Sequence, residues 1–336
     1  MDLSTTYLGM TLKNPLVPSA SPLSRSLEAA RLLEDSGAGA LVMYSLFEEA
    51  VTAEEEAMVR FLHHQDTGFG EADSFLPDHM DFPGELDRYL EQVASLKATL
   101  GIPVIASLNG VTSGGWVEHA KEIQDAGADA LELNVYYVAA DITQSSGAVE
   151  ERYTSLLEEL KRHITIPINM KLSPAFSSVG NMVKRLEQAG ADGVALFNRF
   201  YQPDLDIHNL RLVTSLRPST SNEVLLPMRW IAILYGRTRL SLGATSGVHT
   251  AEDAIKLLLA GADVVHLCSL LLQKGPQQIR HLLTDIEQWM EQQGFDSISD
   301  VRGRLSQLNV PDPSGFERSN YIQVLDSFSP GKGVLT

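Results

Sequence analysis

One lysine stands out on chemical grounds. Lys171 sits in "INMKLSP" among apolar neighbours, where an unpaired ammonium would be strongly destabilising. Such a lysine snorkels out to solvent, pairs with a carboxylate such as Glu132 on the adjacent strand, or serves chemistry or anion binding. Three asparagines occupy comparable places: Asn109 in "SLNG", Asn134 in "LELN" and Asn198 in "FNR". Each alone is an ordinary turn residue. Converging on one mouth from different strands, their amides offer donor and acceptor together, which suits the edge of a planar heterocycle. A third feature lies further along the chain. "TSGVHTAED" places Ser246 and Gly247 ahead of a helix capped by Thr250, and "CSLLLQKGP" places Cys268 and Ser269 ahead of a helix beginning near Pro276. Main-chain N–H groups at such junctions bind phosphate, although two plain strand-to-helix turns have the same pattern.

Strands must carry these residues to one place. Four segments share a pattern: "DSGAGALVM" (35–43), "DAGADALEL" (125–133), "QAGADGVAL" (188–196) and "LAGADVVHL" (259–267). Each closes an amphipathic helix, turns on glycine and enters an apolar strand, glycine being tolerant of positive φ at a helix end. "GIPVIASL" (101–108) and "TIPINMKL" (165–172) add two proline-led strand entries. The predicted strands are Leu16–Ser21, Ala40–Leu46, Val104–Asn109, Ala130–Val135, Ile168–Leu172, Gly193–Phe197, Leu240–Ala244 and Val264–Ser269. Helical patterns such as "SLEAARLLEDSG", "GGWVEHAKEIQDAG" and "TAEDAIKLLLAG" fall between them.

This alternation predicts an α/β fold, a (β/α)8 TIM barrel. The alternative is an open doubly wound sheet, weakened because no "GxGxxG" follows the first strand. Leu3–Asn14 is expected to form an N-terminal β-hairpin plugging the barrel bottom. Long connections follow strands two (48–83) and six (201–226), as lids or binding loops do. One domain spans residues 1–336, with a frayed end after about residue 326. Strand C-termini carry the site in a barrel. They deliver Ser19–Ser21, Tyr44 and Ser45, Ser107 and Asn109, Asn134 with Tyr136 and Tyr137, Lys171, Asn198 and Arg199, Thr245–Gly247, and Cys268 with Ser269.

Composition narrows the function classes. A chain of 336 residues, 44% hydrophobic, can bury a sizeable core. Its net charge of −17 argues against a nucleic-acid partner, though local basic residues could hold one phosphate. No apolar run is long enough for a bilayer, and "MDLSTTYLGM" lacks signal-peptide character. A cytoplasmic protein with no membrane partner is expected. Cys268 is the single cysteine, which excludes internal disulfides and any Cys-rich metal or iron–sulfur site; it fits a small buried hydrophobe. His63, His64 and His79 lack metal-ligand spacing and fit solvated or lid positions, and "EEAVTAEEE" fits a solvated helical face.

The ordered set "NPLVPSAS", "SLNG", "LELN", "MKLSP", "FNR", "TSGVHTAEDAIKLLLAGADVV" and "CSLLLQKGP" resembles the dihydroorotate dehydrogenase family of FMN-dependent barrels, class 1 type, over essentially the whole chain. "SLFEEAV" is similar to the dihydroorotate dehydrogenase-like branch of that family. The resemblance implies non-covalent FMN at the barrel mouth. Ser19, Ala20, Ser21 and Ser45 would line the flavin, and Asn109, Asn134 and Lys171 would contact its polar edge. Asn198 would lie near ring or substrate, and Ser246, Gly247, Cys268 and Ser269 would surround the phosphate.

Departures fall where the chemistry should be. Class 1 enzymes carry Asn-x-Ser-Cys-Pro-Asn after strand four, with the cysteine as base. This chain reads "NVYYVA", with Tyr137 at the cysteine position and Ala139 in place of a substrate-binding asparagine. A family lysine near the end of strand two reads Tyr44, a Gly-Leu-Pro-Asn loop motif has no counterpart, and paired glycines read Ser246–Gly247. Tyrosine, with an ordinary pKa of about 10, is a poor base; Tyr137 would donate a proton, close over the flavin or merely pack.

The expected function is an FMN-dependent oxidoreductase passing hydride between a small substrate and flavin N5, with Lys171, Asn134, Asn198 and Tyr137 as catalytic candidates. The alternatives are oxidation of dihydroorotate to orotate in pyrimidine biosynthesis, a catalytically degenerate FMN-binding interaction protein, and a flavin-free barrel acting on a sugar phosphate. A homodimer and a soluble electron acceptor or redox partner are also implied.

Overall fold

The computed structural model describes residues 1–54, 84–110, 116–199 and 201–327. Its central sheet has eight parallel strands: β1 (Leu16–Pro18), β2 (Leu41–Phe47), β3 (Val104–Asn109), β4 (Ala130–Asn134), β5 (Ile168–Leu172), β6 (Gly193–Leu196), β7 (Ser241–Ala244) and β8 (Val264–Leu267). They are hydrogen-bonded in the order β1-β8-β7-β6-β5-β4-β3-β2. Across the remaining gap, between β1 and β2, the Gly39 N–H donates to the Leu16 carbonyl at 2.8 Å. The result is a nearly closed (β/α)8 barrel, with helices between successive strands as the alternation predicted.

The repeat has a structural cause. Its glycines, Gly37, Gly127, Gly190 and Gly261, take φ of 109°, 97°, 97° and 125°, which a side chain rarely allows. Two residues later in three units comes an aspartate that reaches back to the start of the preceding strand. Asp129 Oδ2 accepts from the Val104 N–H at 2.7 Å, Asp192 Oδ2 from Ile168 at 2.8 Å, and Asp263 Oδ2 from Leu242 at 2.7 Å. Each aspartate therefore satisfies an otherwise exposed strand donor and ties neighbouring units together. In the first unit Gly39 replaces the aspartate, because a Cβ there would stand 2.3 Å from the Asn14 carbonyl oxygen.

The N-terminal strands Thr5–Tyr7 and Met10–Leu12 pair antiparallel. Tyr7, Leu8 and Leu12 are buried against Val17, Val42, Ile105, Ala130 and Val264, closing the N-terminal end of the barrel. The open end is thereby left as the place for a site.

Several elements differ from expectation. The 201–226 connection contains its own ladder, Asp204–Asp206 with Arg211–Val213. A short helix, Ser269–Lys274, follows β8 and ends where Gly275 adopts φ 90°, and the helix expected near Pro276 comes after it as Gln278–Gln293. The segment 48–54 is helical, with Val51 buried and Glu48 accepting from Trp116 Nε1 at 3.0 Å, so this face is only partly solvated. A helix, Ser319–Asp326, occupies the stretch before the expected frayed end. His63, His64 and His79 lie outside the described residues. Among the described residues no helix is long and apolar enough to cross a membrane, and no group of three or more His, Cys, Asp or Glu could hold a metal.

Candidate functional site

A cavity of about 1050 Å³ opens at the C-terminal strand ends. Ser19, Ala20, Ser45, Asn109, Asn134, Lys171, Asn198, Ser246, Gly247, Cys268 and Ser269 all line it. Of the predicted cofactor-binding and catalytic residues, two, Ser21 and Tyr137, are not on its wall, nor are the strand-end residues Tyr44 and Ser107. Ser21 precedes the short helical turn Pro22–Arg25, and its carbonyl accepts from Ser24 Oγ at 3.0 Å. Tyr137 donates its hydroxyl to Gln144 Oε1 at 2.7 Å and lies under the Arg152 guanidinium, 4.2 Å from the ring centre. After β4 the chain turns tightly, with N–H bonds from Tyr136 to Asn134 and from Tyr137 to Val135. That turn gives the cavity Tyr136 and directs Tyr137 away.

Strand register builds the floor. In the β4–β5 ladder Glu132 stands opposite Asn169 and Asn134 opposite Lys171. Residues two apart share a face, so all four side chains gather inside the barrel. Lys171 Nζ donates to Glu132 Oε1 at 3.0 Å and approaches Ser19 Oγ at 3.5 Å, while Glu132 Oε2 accepts from Asn169 Nδ2 at 3.1 Å. The Glu132 side chain is 1% exposed and that of Lys171 9%. Such a pair holds only when both charges are well partnered, and here both carboxylate oxygens are.

His266 on β8 shares this interior and also lines the cavity. Burial pushes its pKa down to about 4, opposed by the nearby Glu132 charge and reinforced by that of Lys171. The imidazole is therefore neutral at pH 7. Its Nε2 lies 3.5 Å from the Tyr7 hydroxyl, and among the described residues its buried Nδ1 has no partner. Sequence reasoning passed over His266; the signal was a polar ring inside the apolar run "ADVVHL".

The walls are built from the strand ends. Asn198 Nδ2 donates to Asn134 Oδ1 at 2.7 Å, and the Asn198 N–H donates to the Leu172 carbonyl at 2.6 Å. Ser45 and Ser107 hydroxyls are 2.9 Å apart. On the β7–β8 side Ser246 and Gly247 take consecutive positive φ of 84° and 81°. A Cβ on Gly247 would stand 2.2 Å from Val224 N, so close packing as well as φ demands glycine. Ser246 adopts the conformation that a glycine would take most easily. The helix beyond is capped by Thr250, whose side chain accepts from the Asp253 N–H at 3.2 Å, as expected.

Two further wall residues come from tertiary contact. Ser219 arrives from the 201–226 connection; its N–H donates to Ser269 Oγ at 3.1 Å and its hydroxyl is 3.0 Å from His249 Nε2. Arg199 lines the cavity with Nε 3.1 Å from Glu223 Oε2. Burial raises the pKa of the Cys268 thiol and the Tyr201 phenol. At neutral pH both are proton donors rather than bases, and Cys268 is half-buried at the wall rather than enclosed in a strand.

These groups fit the FMN that the sequence resemblance implies. The volume lies just above the roughly 300–1,000 Å³ common for ligand and cofactor sites. A cation, amides and the His266 ring suit a polar ring edge, while successive positive-φ residues and serine hydroxyls suit a phosphate.

Comparison with known proteins agrees. A family model described as dihydroorotate dehydrogenase matches residues 2–290. The NAD-dependent dihydropyrimidine dehydrogenase subunit PreA of Escherichia coli is 26% identical, over 96% of this chain and 80% of its own. Dihydroorotate dehydrogenase A (fumarate) of Lactobacillus delbrueckii is 26% identical, over 88% of this chain and 96% of its own. The catalytic subunit of dihydroorotate dehydrogenase B (NAD(+)) from Thermoplasma acidophilum is 26% identical, over 90% and 98%. With the match running through every barrel strand, the chain belongs to the dihydroorotate dehydrogenase family of FMN-dependent oxidoreductases that act on CH–CH bonds.

Proposed function

We propose that this barrel passes a hydride between a small substrate and FMN, and that the substrate need not be dihydroorotate. When bound, FMN supplies a ring nitrogen, N5, that accepts or gives the hydride. Lys171 holds fixed positive charge at the polar edge of the ring, favouring electron density there. Asn134 and Asn198 orient the reacting partner, and Asn109, Ser19, Ala20 and Ser45 line the ring. Ser246, Gly247, Cys268 and Ser269 hold the phosphate. Orientation of the reacting carbon against the ring is the main requirement, and no protein nucleophile is needed.

The observation that carries this reading is one buried cation, Lys171, facing the same cavity as three strand-end asparagines. Tyr137, at the position the resemblance gives to the family's cysteine base, has its hydroxyl engaged by Gln144. Oxidation of dihydroorotate itself is the second reading, supported by the names of two of the relatives. A soluble acceptor or a partner subunit would complete the cycle, in line with the relatives named as subunits.

Purified protein should carry a flavin spectrum, bleached anaerobically by a small reductant but not by dihydroorotate. Robust turnover of dihydroorotate with an artificial acceptor would replace the substrate assignment. A bound flavin that no metabolite reduces would point to a binding protein without catalysis. Failure to take up FMN would defeat the whole proposal.

A further inference from the structure

Charge decides what can lie beside the amides. Among the described residues two cations line the cavity, Lys171 and Arg199, and each is already held by a carboxylate. Lys171 is 3.0 Å from Glu132. Arg199 meets Glu223 through two prongs, Nε to Oε2 and Nη2 to Oε1, both at 3.1 Å. Its remaining terminal nitrogen donates to the Arg217 carbonyl. Glu49 adds a third carboxylate to the surroundings. His266 contributes no charge at pH 7.

Two cations thus face three carboxylates. Among the described residues an anionic substrate finds a counter-charge only by drawing Arg199 from its fork with Glu223, and otherwise enters without one; both are costly in a partly enclosed site. An uncharged ring meets no such obstacle. With Asn198 donating to Asn134, the described bonds leave the amide nitrogen of Asn134 and the amide oxygen of Asn198 to a ligand. That combination complements a C=O/N–H edge. Phe47, Tyr136, Tyr201 and Leu216 supply apolar surface for the ring faces.

Resting on the oxidoreductase reading above, we infer that the substrate is an uncharged planar heterocycle with an amide-type edge, and that the Arg199–Glu223 pair excludes carboxylate-bearing analogues. Uracil and orotate differ by one carboxylate and make a matched pair of probes. Each is titrated into the FMN-loaded protein, with binding read from the perturbed flavin absorbance. Uracil should bind at least tenfold more tightly. Glu223→Gln should strengthen orotate binding at least tenfold by leaving Arg199 without its counter-charge, with uracil changed less than twofold. Adding Arg199→Gln should abolish that gain; its neutral pair also separates charge effects from misfolding.

Orotate binding as tightly as uracil, no gain in the Glu223→Gln protein, or no response to uracil would each overturn the inference. These outcomes in flavin-loaded protein leave the oxidoreductase reading standing. Protein that takes up no FMN removes both.

Discussion

Lys171 and Glu132 form a unit in which each makes the other's burial tolerable. Replacing Lys171 alone by Met strands a carboxylate in the barrel, and breaking such a pair costs about 3–5 kcal/mol. The double variant Lys171→Met/Glu132→Gln should recover most of that stability in denaturant unfolding, yet still bind FMN weakly and with an altered reduction potential. Wild-type cofactor affinity and potential in the double variant would mean that Lys171 is only structural. His266 sets a pH dependence of known sign. Its folded pKa of about 4 lies below the ordinary 6.5, so the unfolded chain takes up a proton that the folded chain refuses. Stability from this group is full above pH 6.5 and falls as pH drops toward 4, by on the order of 3 kcal/mol in all. His266→Gln should flatten that window in unfolding measured across pH. Lys171 was conspicuous in the sequence because a charge interrupts an apolar strand. His266 was less so, since a lone ring beside small apolar residues gives no hint of which way it faces.

At the scale of elements, the turn after β7 is the sensitive one. Gly247 combines φ 81° with a neighbouring backbone nitrogen 2.2 Å from any added Cβ. Gly247→Ala should cost roughly 1–3 kcal/mol from backbone strain and weaken FMN binding at least tenfold, measured by flavin titration of the refolded protein. Thr250→Ala, which removes only the helix cap, should cost about 1 kcal/mol and leave FMN binding nearly unchanged. The glycine that ends each helix was legible because its cause is local. The aspartate after it was visible as a repeat but not as a staple, since the N–H it satisfies lies 25, 24 or 21 residues away. The choice between Tyr136 and Tyr137 is likewise a property of the turn after β4. Two adjacent phenols look alike in sequence, and only the turn decides which one enters the cavity.

For the whole molecule, a cofactor that binds only the folded barrel must stabilise it by mass action. At free FMN one hundred times its dissociation constant the gain is about 2.7 kcal/mol, and thermal unfolding should shift upward with FMN concentration. An unchanged midpoint would favour a flavin-free barrel. Alternating strands and helices, glycine turns and the period of two along each strand are written locally. From them follow the barrel and most of the residues at its open end. The partners of the charges are not local: Lys171 with Glu132, Arg199 with Glu223, and Ser219 reaching Ser269 from another connection. These depend on strand register and on how loops cross when the sheet curls into a ring. The sequence by itself therefore determined most of the residues that reach the mouth, and only the tertiary structure decided the rest and which of their charges remain available to a ligand, because those contacts depend on how the sheet closes.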